Sequence, residues 1–199
     1  MIARRALAVL AALWLGGCAV LAPRDAGPRS EPFDILGRVL VGYDGRAFSA
    51  SVRWQHGAPF DEIWLMTPTG QTLAHLREDG TGATITGADQ TRYHGAHVEA
   101  LTQQALGWEF PLARLQHWVR CQPAPHLAAD IAERDGTGRV IRMTQEGWRI
   151  ACEYSSDAEY GGLPRRVEAS SATQNIRLVI DSWRRDMAAD GGPGVSITR

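Results

Sequence analysis

The chain contains no lysine, so all 21 of its basic residues are arginine. That excludes a P-loop lysine and Schiff-base chemistry, and nucleotide hydrolysis is not its energy source. An excess of either charge is lacking as well: 22 acidic residues against 21 arginines leave a formal net charge of −1, which offers no electrostatic footprint for nucleic acid. The catalytic pattern G-x-S-x-G is missing and there is no lysine to pair with a serine, so a secreted hydrolase has little support. His94 and His97 lie three apart near a helix start, but without a third evident ligand they read as surface or packing histidines. No catalytic residue, metal or other cofactor is expected. Nor is there an internal repeat of fixed period. What the chain does hold is aromatic surface to cover, with seven tryptophans among 199 residues.

The first residues fix a compartment. Arg4 and Arg5 precede an apolar run at 6–15, too short for a mature membrane span but suited to the central region of a signal peptide. The run ends in Leu15-Gly16-Gly17-Cys18, which resembles the bacterial lipoprotein processing box, whose cysteine is acylated and becomes the mature N-terminus. A secreted protein with a chance cysteine beside its cleavage site is the alternative. In the logic of that box, a residue other than aspartate after the cysteine sends the product to the outer membrane, and Ala19 fits. The expected organisation is a leader at 1–17, a lipidated N-terminus and proline-bearing tether at 18–32, one folded domain at 33–183, and a disordered tail at 184–199. As a flexible coil the tether reaches roughly 20 Å. Loss of the leader removes two arginines and no acid, so the mature net charge is −3.

From Phe33 the hydropathy alternates. Phe33, Ile35, Val39 and Val41 share one face, as do Phe48, Ala50, Val52 and Trp54, with Asp44-Gly45 as a hairpin turn between the two strands. Further strands are predicted at 62–66, 71–77, 83–86 and 90–93, then at 130–134, 139–145, 148–154, 163–169 and 176–183. Thr67-Pro68-Thr69-Gly70 is turn chemistry. Only residues 96–123 have a helical period. Val98, Leu101, Ala105 and Leu106 form one stripe that Gly107 ends, and Pro111 begins a second helix carrying Leu112, Leu115, Trp118 and Val119. Two short one-sided helices cannot stand alone, so the strands must cover their stripes.

The fold class is therefore mainly β (α+β): about eleven antiparallel strands curling towards a barrel, with helices inside. Such a barrel can leave an apolar hollow for a small molecule or lipid, or be filled by its own tryptophans and leucines, and periodicity does not separate the two. Cys121 and Cys152 remain once Cys18 is acylated. In an oxidising compartment a bridge between them is permitted and worth roughly 3 to 4 kcal/mol, but the expectation leans to two buried free thiols, because the helix end need not reach the strand.

LGWEFPLARLQHWV, together with FDILGRV, SASVRW, LMTPTGQT, QEGWRI and LVIDSW, resembles the LolB family of outer-membrane lipoprotein receptors in order and spacing. The most specific piece is LG-x-x-x-PL-x-x-L-x-x-W, from Leu106 to Trp118. The resemblance spans about 33–183 and implies an incompletely closed antiparallel barrel with internal helices covering an apolar cavity. It also implies a task, which is to accept lipoproteins from a soluble LolA-like periplasmic carrier and place their acyl chains in outer-membrane lipid. Cavity-lining candidates on that fold are Phe48, Val52, Trp54, Ile63 and Leu65 from the early strands, Leu101, Leu115 and Trp118 from the helices, and Trp148 and Ile150 from a late strand. Cys18 is the lipid anchor, on the periplasmic face of the outer membrane, and the protein is expected to act as a monomer. Pro68, Thr69 and Gly70 become a membrane-contact loop, in which the family often carries a protruding leucine where this chain has Thr69. The family usually has glycine at the position of Cys121, so the residue best suited to a left-handed helix stop is lost at a cost of about 1 kcal/mol. A soluble LolA-like carrier and a structural lipoprotein without a cavity remain the alternative functions.

Overall fold

The fold was analysed in a computed structural model, which describes residues 30–157 and 160–184. The leader, Cys18, most of the tether and all but the first residue of the expected tail lie outside them. Eleven strands form one antiparallel sheet in the order β6-β5-β4-β3-β2-β1-β11-β10-β9-β8-β7. Before the helices come β1 (Phe33–Tyr43), β2 (Arg46–His56), β3 (Phe60–Met66), β4 (Thr72–Asp79), β5 (Gly82–Gly87) and β6 (Arg92–Gly95). After them come β7 (Ala129–Arg134), β8 (Val140–Gln145), β9 (Trp148–Tyr154), β10 (Pro164–Ser170) and β11 (Gln174–Arg184). The first and last strands pair at the centre, Val39 opposite Leu178, while β6 and β7 are the outer edges, so the barrel does not close. One predicted boundary moves: Gln90 sits at φ 65° in a turn closed by the Gln90 N–H to the Gly87 carbonyl, and β6 begins only at Arg92.

The alternation read from the sequence becomes an inner and an outer face. Ile35, Val39 and Val41 of β1, Val52 and Trp54 of β2, and Ile176, Leu178 and Ile180 of β11 are all buried. Helix α1 (Val98–Leu106) and helix α2 (Leu112–Trp118) lie on that inner face. Gly107 ends α1 at φ 78°, the left-handed conformation in which glycine meets no Cβ penalty. No side chain of its own caps the start of α1. Instead the Glu78 carboxylate of β4 accepts the Val98 N–H at 2.7 Å, satisfying an orphan donor and placing negative charge at the positive end of the helix. The two helices are tied to one another as well, Glu99 accepting the Ala113 N–H at 2.8 Å and Thr102 accepting the Phe110 N–H at 2.9 Å.

The end of the barrel at which the chain comes in is sealed by aromatic rings. Phe33 stands edge-on to Trp54 at 5.0 Å and to Trp183 at 5.7 Å, and lies against His56 at 4.9 Å. Asp61 accepts from the Trp54 indole at 2.9 Å and bonds His56 Nδ1 at 2.6 Å, so the buried polar atoms of this plug are partnered.

The second half is fastened more firmly than expected. Cys121 and Cys152 are joined in a disulfide with Cα atoms 6.2 Å apart, which overturns the expectation of free thiols. The physical reason is local: Cys121 adopts φ 58°, so the chain turns left-handed just after α2 and carries the sulfur over to β9. The position has thus kept the backbone conformation suited to glycine while taking a cross-link. Beside it Gln145 of β8, almost wholly buried, accepts from the Trp118 indole at 2.8 Å and the Ala124 N–H at 2.9 Å, and donates to the carbonyls of Ala124 and Leu127 at 2.8 and 3.1 Å.

Candidate functional site

A hollow of about 250 Å³ opens on the inner face of the first half. Its floor comes from β1 to β5, whose inward residues include Val41, Phe48, Ile63, Leu65, Leu76 and Ile85. Ala105 of α1, with Trp108 and Phe110 of the helix linker, lies across it, and Leu73, Ala74 and Tyr93 stand towards the strand ends. Among the described residues the polar groups on its wall are Asp89, Tyr93, Thr102 and the indole N–H of Trp108; Asp89 bonds Thr91 in its own turn, and Thr102 bonds the linker. A ligand in the hollow would meet hydrocarbon almost throughout.

Three of the ten candidate residues, Phe48, Ile63 and Leu65, line this hollow. The other seven lie elsewhere in the core. Val52 is buried opposite Leu65 in the sheet register but does not line the hollow, and Trp54 belongs to the aromatic plug, its N–H held by Asp61. Leu101 is buried where α1 meets the sheet, close over Gly95. Leu115, Trp118, Trp148 and Ile150 pack the second half, with the Trp118 and Trp148 rings 5.5 Å apart. Sequence reading overlooked Trp108, Phe110, Leu73 and Tyr93. Trp108 and Phe110 fall between the two helical stripes, and only their aromatic character in an otherwise polar linker marked them.

Residues 67–71 form a tight exposed turn at the far end of the barrel from Phe33, directly beyond Leu65 and Leu73 of the hollow. The Thr67 N–H bonds the Gln71 carbonyl at 2.8 Å, and Gly70, at φ 86°, donates to the Thr67 carbonyl at 2.9 Å. Pro68, Thr69 and Gly70 all face solvent, with the Thr69 hydroxyl 2.8 Å from that of Thr67. His94 bonds Thr84 and His97 faces Glu78, so the two histidines have separate partners. Among the described residues no three His, Cys, Asp or Glu side chains are grouped to hold a metal ion.

An open antiparallel barrel that shelters an apolar hollow beneath a helix pair defines the class: a β-barrel built around a hydrocarbon-lined binding space. The comparisons narrow it. A sequence model described as outer membrane lipoprotein LolB matches residues 31–183, and the chain belongs to the LolB family. Relatives named outer-membrane lipoprotein LolB are 37% identical in Thiobacillus denitrificans, covering 90% of this chain and 98% of that one, and 34% identical in Nitrosomonas europaea, covering 83% and 78%. One from Azoarcus sp. is 35% identical over 89% and 93%. A crystal structure of a DUF1329 family protein from Desulfovibrio piger shares the fold at TM-score 0.50 and 7% identity, covering 83% of this chain and 89% of that one.

Proposed function

We propose that the protein is an outer-membrane receptor, anchored through Cys18 on the periplasmic face, that accepts lipoproteins from a soluble carrier and passes their acyl chains into the membrane. The observation that carries this reading is the apolar hollow in the half-barrel of a LolB-family chain. With about 30 Å³ for each methylene, taken as the share of a water molecule, 250 Å³ holds about eight. At about 0.8 kcal/mol per methylene, their burial is worth about 6 kcal/mol. A carrier pocket, this hollow and the bilayer are all apolar, so chains pass between them with little net change in free energy. No ATP is required. Admitting more of a chain means widening the hollow, and α1 is the element that can yield, because it is held to the sheet by packing and the Glu78 cap rather than by a covalent link.

Membrane contact falls to Pro68, Thr69 and Gly70, the exposed turn next to the hollow. By strand register the turn follows Met66, which stands level with Arg38 of β1, about five residues and about 17 Å along the strand from Phe33. The chain from Cys18 to Ser30 spans at most about 40 Å, which suffices to lay the barrel lengthwise on the membrane that holds its anchor.

The test is transfer of a radiolabelled lipoprotein from loaded carrier to liposomes bearing the full-length protein. Transfer above the protein-free rate is expected, and equality with that rate would sink the reading. Thr69→Leu should raise insertion without altering uptake, and Thr69→Asp should lower insertion. Parental rates in both variants would move the membrane contact elsewhere. The intact mass of membrane-extracted protein should show diacylglycerol on Cys18, with residues 1–17 gone; an unlipidated mature chain contradicts the anchor.

A further inference from the structure

A second cavity, of about 470 Å³, lies at the same end of the barrel as the hollow. It is cut between the helix linker and the strand ends, with Tyr43 and Asp44 on one side and Trp148 and Thr173 on the other. Trp108 lines both cavities, so its indole is the wall between them. That wall is supported from each side: the Tyr43 ring lies 5.6 Å away in the crevice, and Phe110 of the hollow stands edge-on at 6.0 Å. The linker beneath is pinned by Gln174, whose amide donates to the Glu109 carbonyl at 3.1 Å.

The two cavities differ in chemistry. The hollow is hydrocarbon, whereas the crevice combines three aromatic rings with the side chains of Asp44, Gln103 and Thr173, which make no side-chain hydrogen bond or ion pair with other described residues. Among the described residues its one arginine, Arg114, is already paired with Glu109 at 2.7 Å, and Asp44 adds a negative charge. A phosphate there would face two carboxylates and no free cation among the described residues, so the crevice as described does not suit a phospholipid head. Neutral hydrogen-bonding groups suit it, with the rings covering their apolar edges.

We propose that this crevice receives the neutral glyceryl-cysteinyl-peptide head of an acylated protein whose chains occupy the hollow across Trp108. The inference rests on the acyl-binding role of the hollow and assigns the polar part of the same ligand. It gives the receptor a means of distinguishing lipoproteins from bulk phospholipid, since both offer chains but only one offers an uncharged head.

Photo-crosslinking to the full-length protein in liposomes tests it with two probes. One is palmitate with a diazirine near its methyl end, and the other is an N-palmitoyl, S-(dipalmitoylglyceryl)-cysteinyl tetrapeptide amide of uncharged residues, with a diazirine on its second residue. The palmitate should label residues of the hollow, and the lipopeptide should label the segments around Gln103 and Thr173. Thr173→Trp and, separately, Gln103→Trp fill the crevice from exposed positions that do not line the hollow. Each should cut lipopeptide labelling at least tenfold and leave palmitate labelling within twofold. Lipopeptide labelling that maps elsewhere, or persists in both variants, overturns the crevice assignment while the hollow stands. Failure of palmitate to label the hollow in the parental protein overturns the acyl-binding reading, and this inference with it.

Discussion

The six strands before the helices and the five after them obey the same alternation, yet they enclose different interiors. In the first group the inner face of β1 to β5 stands away from α1 and leaves the hollow; α1 is held to the sheet by apolar contact and by Glu78 accepting its first N–H, and to the linker and α2 by the hydrogen bonds of Thr102 and Glu99. In the second group α2 is fastened to the sheet by a disulfide, by the Gln145 amide and by paired tryptophans, and Leu115, Trp118 and Ile150 are buried against one another's elements. The difference teaches how an open barrel combines a firm frame with a wall that can move. Packed interiors resist continuous deformation, so a site that must admit a flexible chain needs a region where packing is incomplete. Covalent and buried polar restraints are concentrated away from the hollow.

Breaking the strongest restraint should therefore unsettle the frame without emptying the site. Cys152→Ser opens a loop of sequence separation 31, and the chain-entropy account puts the loss at about 3 to 4 kcal/mol, read from the denaturant midpoint. Acyl-probe affinity should stay within twofold at low temperature. If affinity falls together with stability, the two halves are one mechanical unit and the contrast between them fails.

Gln145→Leu comes next. It leaves the Trp118 indole and both backbone groups of Ala124 without partners in a buried place, at a cost of about 2 to 3 kcal/mol. Gln145→Glu retains the acceptor but loses the amide donor and buries an acid, so it should not restore stability. Recovery to within 0.5 kcal/mol of the parent, about the scatter of a surface substitution, would show that the amide is not what fastens α2.

How far the sequence foretold this contrast depends on the kind of interaction. Strand alternation and the helical stripes are local periodicities, so all eleven strands, Gly107 and Pro111 fell close to their predicted places. Which buried residues border empty space is not local. Trp54, Trp118 and Trp148 follow the same inward pattern as Phe48 and Ile63, but hydrogen bonds commit Trp54 and Trp118 to filled regions, and Trp148 packs on Trp118 and lines the crevice rather than the hollow. Gln145 sat unnoticed at an inward strand position, where an unpaired amide would be costly, and that cost was the available signal. The disulfide depended on the left-handed turn at Cys121, a tertiary outcome that spacing along the chain could not supply.

The first half can be sharpened by filling it. Ala74 of β4 lines the hollow and is only half-buried, so Ala74→Phe has open space to enter. Acyl-probe affinity should fall about tenfold, equivalent to about 1.4 kcal/mol, with stability changed by less than about 1 kcal/mol. Unchanged affinity would place the chains outside this cavity. A large loss of stability would show that the hollow is less open than its shape indicates.

The smallest expected effect tests how α1 is held at neutral pH. Burial raises the Glu99 carboxyl above its ordinary value of 4.5, with the nearby Glu78 carboxylate adding to the rise; the Ala113 N–H and His97 pull the other way. The folded state therefore retains a proton that the unfolded chain has already released. The associated stability is fully present below pH 4.5 and is lost as pH rises through the folded-state value. Above it, an ionised Glu99 bears a desolvation cost in the contact joining α1 to α2, which leaves the helix over the hollow less firmly held when the protein works. Glu99→Gln keeps an acceptor for the Ala113 N–H and carries no charge. Its stability relative to the parent should increase as pH rises from 4.5 through the folded-state value of Glu99 and level off above it, by denaturant unfolding at matched ionic strength, and acyl uptake at pH 7 should slow modestly if loosening of α1 admits the chain. Parallel stability curves for the two proteins would mean that Glu99 titrates alike in the folded and unfolded states, and that the yielding of α1 has no electrostatic part.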